Sequence, residues 1–169
     1  MKKTLGALLS TLVLLTLVSC GQNSEPLAAL GDPNATYEGK MTLPIVPITG
    51  FIAFNGTNPV NDGFDLNSNI SIVRSPISGI ITAQDGLSAT IRHNSHVTTR
   101  VSRLISVSRN VGDFVDNTTQ IGTSVLGAPG IHFSVYVDGV AVCPYAFLVH
   151  DPADQQAVLT ASGGVPCTY

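Results

Sequence analysis

No lysine follows Lys40, so any role in which a lysine side chain carries a covalently attached cofactor is excluded. Charge is scarce as well: 11% of the 169 residues are charged, against 44% hydrophobic. That balance excludes a largely disordered chain and supports one domain with a sizeable core. Basic charge is scarcer still. Without Lys2 and Lys3, six basic residues face eleven acidic ones, a net charge of −5, which argues against nucleic acid as a partner. Beyond the first 20 residues no apolar run is long enough to span a bilayer. From Met41 onward no window holds a helical period over twelve residues. Cysteine is limited to Cys20, Cys143 and Cys167.

The N-terminal 20 residues stand apart. Lys2 and Lys3 precede an apolar stretch, Leu5 to Val18, and Leu17-Val18-Ser19-Cys20 closes it, the order of an export signal. The closing four residues resemble a bacterial lipobox, in which the cysteine is acylated and becomes the mature N-terminus. The resemblance implies a location in the bacterial cell envelope, outside the cytoplasm, with membrane attachment through Cys20. Residues 21–40 mix Gly, Pro, Asn, Ser and acidic residues without periodicity and read as a flexible tether. The domain is expected over 41–150 and a tail over 151–169. In the tail Asp151 to Leu159 is a helical candidate, with Asp151 as cap and Pro152 at the first helical position. An exported chain with two remaining cysteines is a candidate for a Cys143–Cys167 disulfide, which would tie the tail back beside the preceding hairpin and contribute about 3 kcal/mol.

Between Met41 and His150 short apolar segments alternate with turn residues, the pattern of an all-β sandwich or barrel. The clearest segment is Ile131 to Val137, where Ile131, Phe133, Val135 and Val137 alternate with His132, Ser134 and Tyr136. Asp138-Gly139 then suits a type I′ hairpin turn, with Val140 to Val142 returning as the partner strand. Gly130 and His132, two apart, are expected on one face.

Taken in order, Gly63-Phe64-Asp65-Leu66, SPISGIITAQDG, ATIRHNSHVTTRVSRL, VGDFVDNTTQIGTSV, GIHFSVYVDG and CPYAFL resemble the LytM-type (M23) zinc metallopeptidases, whose domains cut peptide cross-links in bacterial cell walls. The resemblance covers roughly Leu43 to Leu148. It implies a compact β-sandwich of short antiparallel strands, of the duplicated hybrid-motif type, and a metal held by an H-x-G-x-D pattern and by the second His of H-x-H. Asp65 and His132 fall on ligand positions, while Asn61 stands in place of a ligand His. Gly130 replaces the first His of H-x-H, and Arg103 replaces another family histidine. Catalytic zinc takes three protein ligands and an open position for water, and a neutral carboxamide is a poor substitute for imidazole. The resemblance therefore implies a domain with most metal and catalytic positions lost, and no cofactor unless zinc binds through an altered ligand set.

Other residues invite a site. His93 and His96 lie near the position of a histidine that the family keeps beside its cleft, and with Arg100 they are candidate groove residues. As polar residues at a hairpin end the two histidines need no ligand at all. His150 lies past the sheet, before Asp151. The five arginines, Arg74, Arg92, Arg100, Arg103 and Arg109, fall within 36 residues opposed only by Asp85. Arg100 or Arg103 could hold carboxylates of a wall peptide through a bidentate fork.

Three functions follow as expectations. One is a non-catalytic envelope lipoprotein that binds peptidoglycan or a wall hydrolase. A second is an active zinc endopeptidase with a third ligand from His93, His96 or Asn61. A third is a structural envelope domain without a groove. A biotinyl or lipoyl carrier, similar in its hybrid sandwich motif, is excluded by the missing lysine.

Overall fold

Strand β11, Gly127–Val137, is the axis of the molecule, pairing on one side with β3 (Phe64–Ser68) and on the other with β7 (Val97–Ser102). The computed structural model describes residues 32, 34–56, 60–149 and 152–169; the signal segment with Cys20, most of the tether, His150 and Asp151 lie outside the described residues. Around β11 an antiparallel sheet runs β1-β3-β11-β7-β6-β5-β9, with β12 (Val140–Val142) paired to the far end of β11. Here β1 is Ile48–Ile52, β5 Gly79–Gln84, β6 Ala89–Arg92 and β9 Phe114–Val115. A second antiparallel sheet, β4-β10-β8, is built from Ile72–Arg74, Gln120–Thr123 and Ser106–Val107.

The period-two pattern of the sequence becomes two chemically different faces. Strand β7 alternates strictly, with Val97, Thr99 and Val101 buried and Thr98, Arg100 and Ser102 half-buried. On β11, Ile131, Phe133 and Val135 are buried against the same interior as Phe64, Leu66, Ile81 and Ile91. Val73 and Ile121 of the smaller sheet close that core from the other side. Burying each such side chain contributes about 1.5–3 kcal/mol, which makes this two-layer interior the main support of the fold.

The hairpin after β11 is the one that its residues predict. Asp138 and Gly139 both have positive φ, 50° and 78°, and Val135 pairs with Val142 across the turn. At Gly130 the expectation needs correction. Its φ is +57° and the ladder between β11 and β3 slips between Gly127 and Ile131, so the regular two-residue alternation does not extend from His132 back to Gly130.

The tail is helical over Pro152–Ala161, helix α1, which packs against β1 and buries Val158. The Asp154 carboxylate accepts the Leu43 amide (3.0 Å) and ties the helix to the start of the domain. Beyond it, β13 (Cys167–Thr168) pairs with β2 (Phe54–Asn55), and this pair is parallel, unlike the antiparallel pairing expected throughout. The Cys143–Cys167 disulfide forms, with a Cα–Cα distance of 6.0 Å. The tether is shorter than expected. Tyr37 is buried in the core, and the Asn94 side chain donates to the carbonyls of Asp32 (3.0 Å) and Ala35 (2.8 Å), so packing begins before residue 41.

Candidate functional site

Directly opposed residues of antiparallel strands share a face, and the register therefore defines one polar surface. His132 lies opposite both Asp65 and Ser102, Ser134 opposite Arg100, Arg100 opposite Thr90, and Thr98 opposite both Tyr136 and Arg92. This floor carries Arg92 and Arg100, and Arg103 follows directly at the end of β7. Arg74 and Arg109 belong elsewhere: Arg74 pairs with Gln120 in the smaller sheet, and Arg109 Nε donates to the Gln120 carbonyl (3.2 Å). The local excess of arginine is thus concentrated on three residues of one face.

At one end of the floor Asp65 and His132, far apart in sequence, meet as their pattern predicts. His132 Nδ1 lies 2.6 Å from Asp65 Oδ1, and His132 Nε2 lies 2.8 Å from Asp62 Oδ1. Arg103 Nη1 reaches the same Asp65 oxygen at 2.9 Å from a backbone with φ +62°. Tyr136 donates its hydroxyl to Asp62 Oδ2 at 2.7 Å. A carboxylate faces each ring nitrogen of His132, and the Arg103 guanidinium offsets negative charge in a half-buried cleft, where partial desolvation strengthens its pairing with Asp65.

The titration of the flanking groups follows from this packing. Burial alone would raise the Asp62 carboxyl, but hydrogen bonds from Tyr136 and His132 and the nearby imidazole outweigh it and hold it below the ordinary carboxylate value. The Tyr136 hydroxyl is pushed up by burial and by its bond to Asp62.

The cluster also has the spacing of a nucleophilic triad. Ser134 Oγ lies 3.0 Å from His132 Nε2, with Asp65 on the other ring nitrogen. Yet Ser134 is 0% exposed. The backbone of Gly63 lies over it so closely that a Cβ at 63 would stand 2.7 Å from Ser134 Oγ. No substrate carbonyl can reach the hydroxyl, so the triad geometry is internal bonding rather than catalysis.

The same contacts decide whether the residues fit a zinc ion, and they do not. Among the described residues no group of three or more His, Cys, Asp or Glu side chains is arranged to hold a metal. The Asn61 amide nitrogen is spent on the Ala53 carbonyl (2.8 Å), Asp65 is paired with a guanidinium, and both nitrogens of His132 face carboxylates. Gly130 departs from a histidine position more deeply than a side-chain exchange. A Cβ there would overlap the Leu66 carbonyl oxygen and stand 2.6 Å from Asn67 Oδ1.

His93 needs correction as a groove residue; His96 does line a hollow, one bounded by Ala35, Thr36 and Phe147 rather than by the floor. His93 is 0% exposed and turned to the core side: Nδ1–H donates to the Ser78 carbonyl (2.8 Å), and Nε2 accepts from the Thr99 hydroxyl (2.9 Å). Burial drives its pKa down to about 4, against a smaller opposing effect of the Ser78 carbonyl. His96 lies after the turn at Asn94-Ser95 and bonds Asp138 of the β11–β12 hairpin at 2.6 Å. The two histidines serve different structural contacts and do not form a ligand pair. Arg100 does lie on the floor, donating through Nη2 to Asp85 (3.2 Å) and Ser88 (3.3 Å).

Asp62, Ser134 and Tyr136 were not singled out by sequence reasoning. The alternation of β11 carries a signal for two of them, since Ser134 and Tyr136 continue the face of His132. Asp62 had none beyond its place beside Asn61.

No family model matches the sequence, and no curated protein matches it. Solved structures do. Pseudoalterin, an M23 metalloprotease from the deep sea, is 19% identical with a TM-score of 0.52, covering 71% of this chain and 80% of its own. A Pseudomonas aeruginosa protein assigned to peptidase M23 is 16% identical with a TM-score of 0.54, over 71% of this chain and 53% of that one. Helicobacter pylori Csd3 is 16% identical with a TM-score of 0.53, over 73% of this chain. This chain spans only 38% of the length of Csd3. At such identities the likeness is one of fold.

Proposed function

We propose, from the premise that this chain has the LytM-type (M23) peptidase fold, that it is a non-catalytic domain of the bacterial cell envelope that binds peptidoglycan peptides on the polar floor of its large sheet. The observation that carries this reading is the Arg103–Asp65 pair beside His132, which occupies the ligand positions with an internal ion pair and leaves a half-exposed floor bearing Arg92 and Arg100. Guanidinium groups recognise carboxylates through paired N–H donors, and a wall peptide carries free carboxylates. The acidic balance of the whole chain makes a basic floor a selective feature rather than a general affinity for anions.

Attachment is proposed through acylated Cys20, with residues 1–19 of the export signal removed. The expected result is a membrane-associated chain that Cys20→Ala releases into the soluble fraction.

The test of binding is sedimentation of the full chain with purified peptidoglycan, alongside a peptide-release assay. Retention without release is expected, and Arg100→Glu should weaken retention about tenfold or more, as loss of one charge-assisted pair implies. Release of peptides by the wild-type chain would sink the non-catalytic reading. No retention would sink the peptidoglycan reading and shift attention to a wall-hydrolase partner, which crosslinking in cells would identify.

A further inference from the structure

Three observations converge on Asp65. The Asp65 side chain is only 11% exposed and its Oδ1 takes both the Arg103 guanidinium and the His132 ring. Arg103 reaches it from a left-handed backbone position, an uncommon conformation for a residue with a side chain, which points the guanidinium back over the end of β3. The third is the balance of charge. Without Arg103 the cluster would hold two carboxylates against one imidazole, leaving a net negative charge in a partly buried cleft.

We infer that the Arg103 guanidinium supplies the positive charge that a metal supplies in an active cleft of this fold, and that it competes with divalent metal for Asp65. The missing ligand at Asn61 and the arginine at 103 are then two separate barriers to metal, added to the Asp62 carboxylate that already engages His132 Nε2 and that a bound metal must displace or recruit. Restoring the histidine alone leaves Asp65 occupied by a cation tethered to the chain. Removing the arginine alone leaves two ligand positions where zinc wants three. Binding appears only when both barriers are removed. A second consequence concerns the wild-type chain: the cleft is assembled by groups of the polypeptide, so a chelator leaves its stability unchanged. This inference concerns what organises the cleft and does not depend on what the floor binds.

The test uses the full chain in four forms: wild type, Asn61→His, Arg103→Gly and the double variant. Glycine is chosen because it accepts the positive φ at position 103, so the change removes the cation without adding backbone strain. Zinc affinity is measured by calorimetry and cobalt coordination by its visible spectrum, with circular dichroism to establish that each form is folded. The double variant is expected to bind zinc about 10–100-fold more tightly than Asn61→His alone, the range by which groups bonded to metal ligands alter affinity. Equal affinity of Asn61→His and the double variant would overturn the inference, because the arginine would then be no barrier. A folded double variant that binds no zinc would overturn it as well. If Arg103→Gly does not fold, Arg103→Gln takes its place, and the same comparison with Asn61→His decides. A fall in melting temperature of the wild type with chelator counts against a polypeptide-held cleft.

Discussion

The carbonyl oxygen of Leu66 lies 2.1 Å from where the Cβ of any side chain at Gly130 would be, far inside contact distance. Gly130 holds φ +57°, and both facts bar a side chain. Gly130→Ala should cost about 2–4 kcal/mol, combining left-handed backbone strain with a steric clash that neighbouring strands must relieve. Gly130→His should cost no less and should confer no hydrolysis. Urea denaturation checks the first expectation; a loss below about 0.5 kcal/mol would show that the β11–β3 bulge adapts readily.

The acid sensitivity of the fold should trace to His93. Its folded pKa is about 4 against 6.5 for an unperturbed histidine, because burial excludes the charged form. Between those values the unfolded chain binds a proton that the folded chain does not. Stability from this residue is therefore fully present above about pH 6.5 and lost as pH falls towards about 4, by roughly 3 kcal/mol in all. Denaturation midpoints measured near pH 7 and near pH 5 should differ in the wild type, and the difference should shrink in His93→Gln. A wild-type profile flat over that interval would contradict the neutral, buried assignment.

Opening the Cys143–Cys167 disulfide frees a loop with a sequence separation of 24 residues. The chain-entropy model assigns about 3–4 kcal/mol to such a closure. Cys143→Ser with Cys167→Ser should therefore lower the melting temperature by roughly 10 °C, measured by calorimetry. The loss should be greatest at the paired segment Phe54–Asn55, which hydrogen exchange can resolve.

Asn94 is a buried amide bonded on both sides within the chain: its nitrogen donates to the Asp32 and Ala35 carbonyls, and its oxygen accepts from the amides of His96 and Val97. Asn94→Ala should cost about 2–4 kcal/mol, since about four bonds of ~1 kcal/mol are lost and buried amides go unsatisfied. Asn94→Asp keeps the acceptor and loses the donors. It should cost less and should loosen the entry segment around Ala35–Tyr37 selectively, seen as faster proteolysis there with the melting temperature less affected.

Much of this architecture was legible from local pattern. The alternation of Ile131 to Val137, the Asp138-Gly139 turn and the helix that begins at Pro152 are decided by residues close in sequence, and each took its expected form. The meeting of Asp65 with His132 was legible through the order of the segments. What stayed hidden depends on backbone dihedrals and long-range approach. Nothing in Val101-Ser102-Arg103-Leu104 announces that Arg103 turns left-handed and reaches Asp65. Gly63 closing over Ser134 is likewise a contact between distant strands. His93 went astray because position along β6 and β7 does not reveal which side of the sheet the turn at Asn94 delivers its ring to, and Thr99 on the core side receives it.

The parallel pairing of Cys167 and Thr168 with Phe54 and Asn55 gives Tyr169 an unusual value as a reporter. Tyr169 is 83% exposed, its ring rests on Phe54 with centroids 5.8 Å apart, and Asn55 bridges to Asn61 beside the cleft. A dye placed at position 169 would be linked through Phe54 and Asn55 to Asn61, so a change in its emission would report on movement at that bridge.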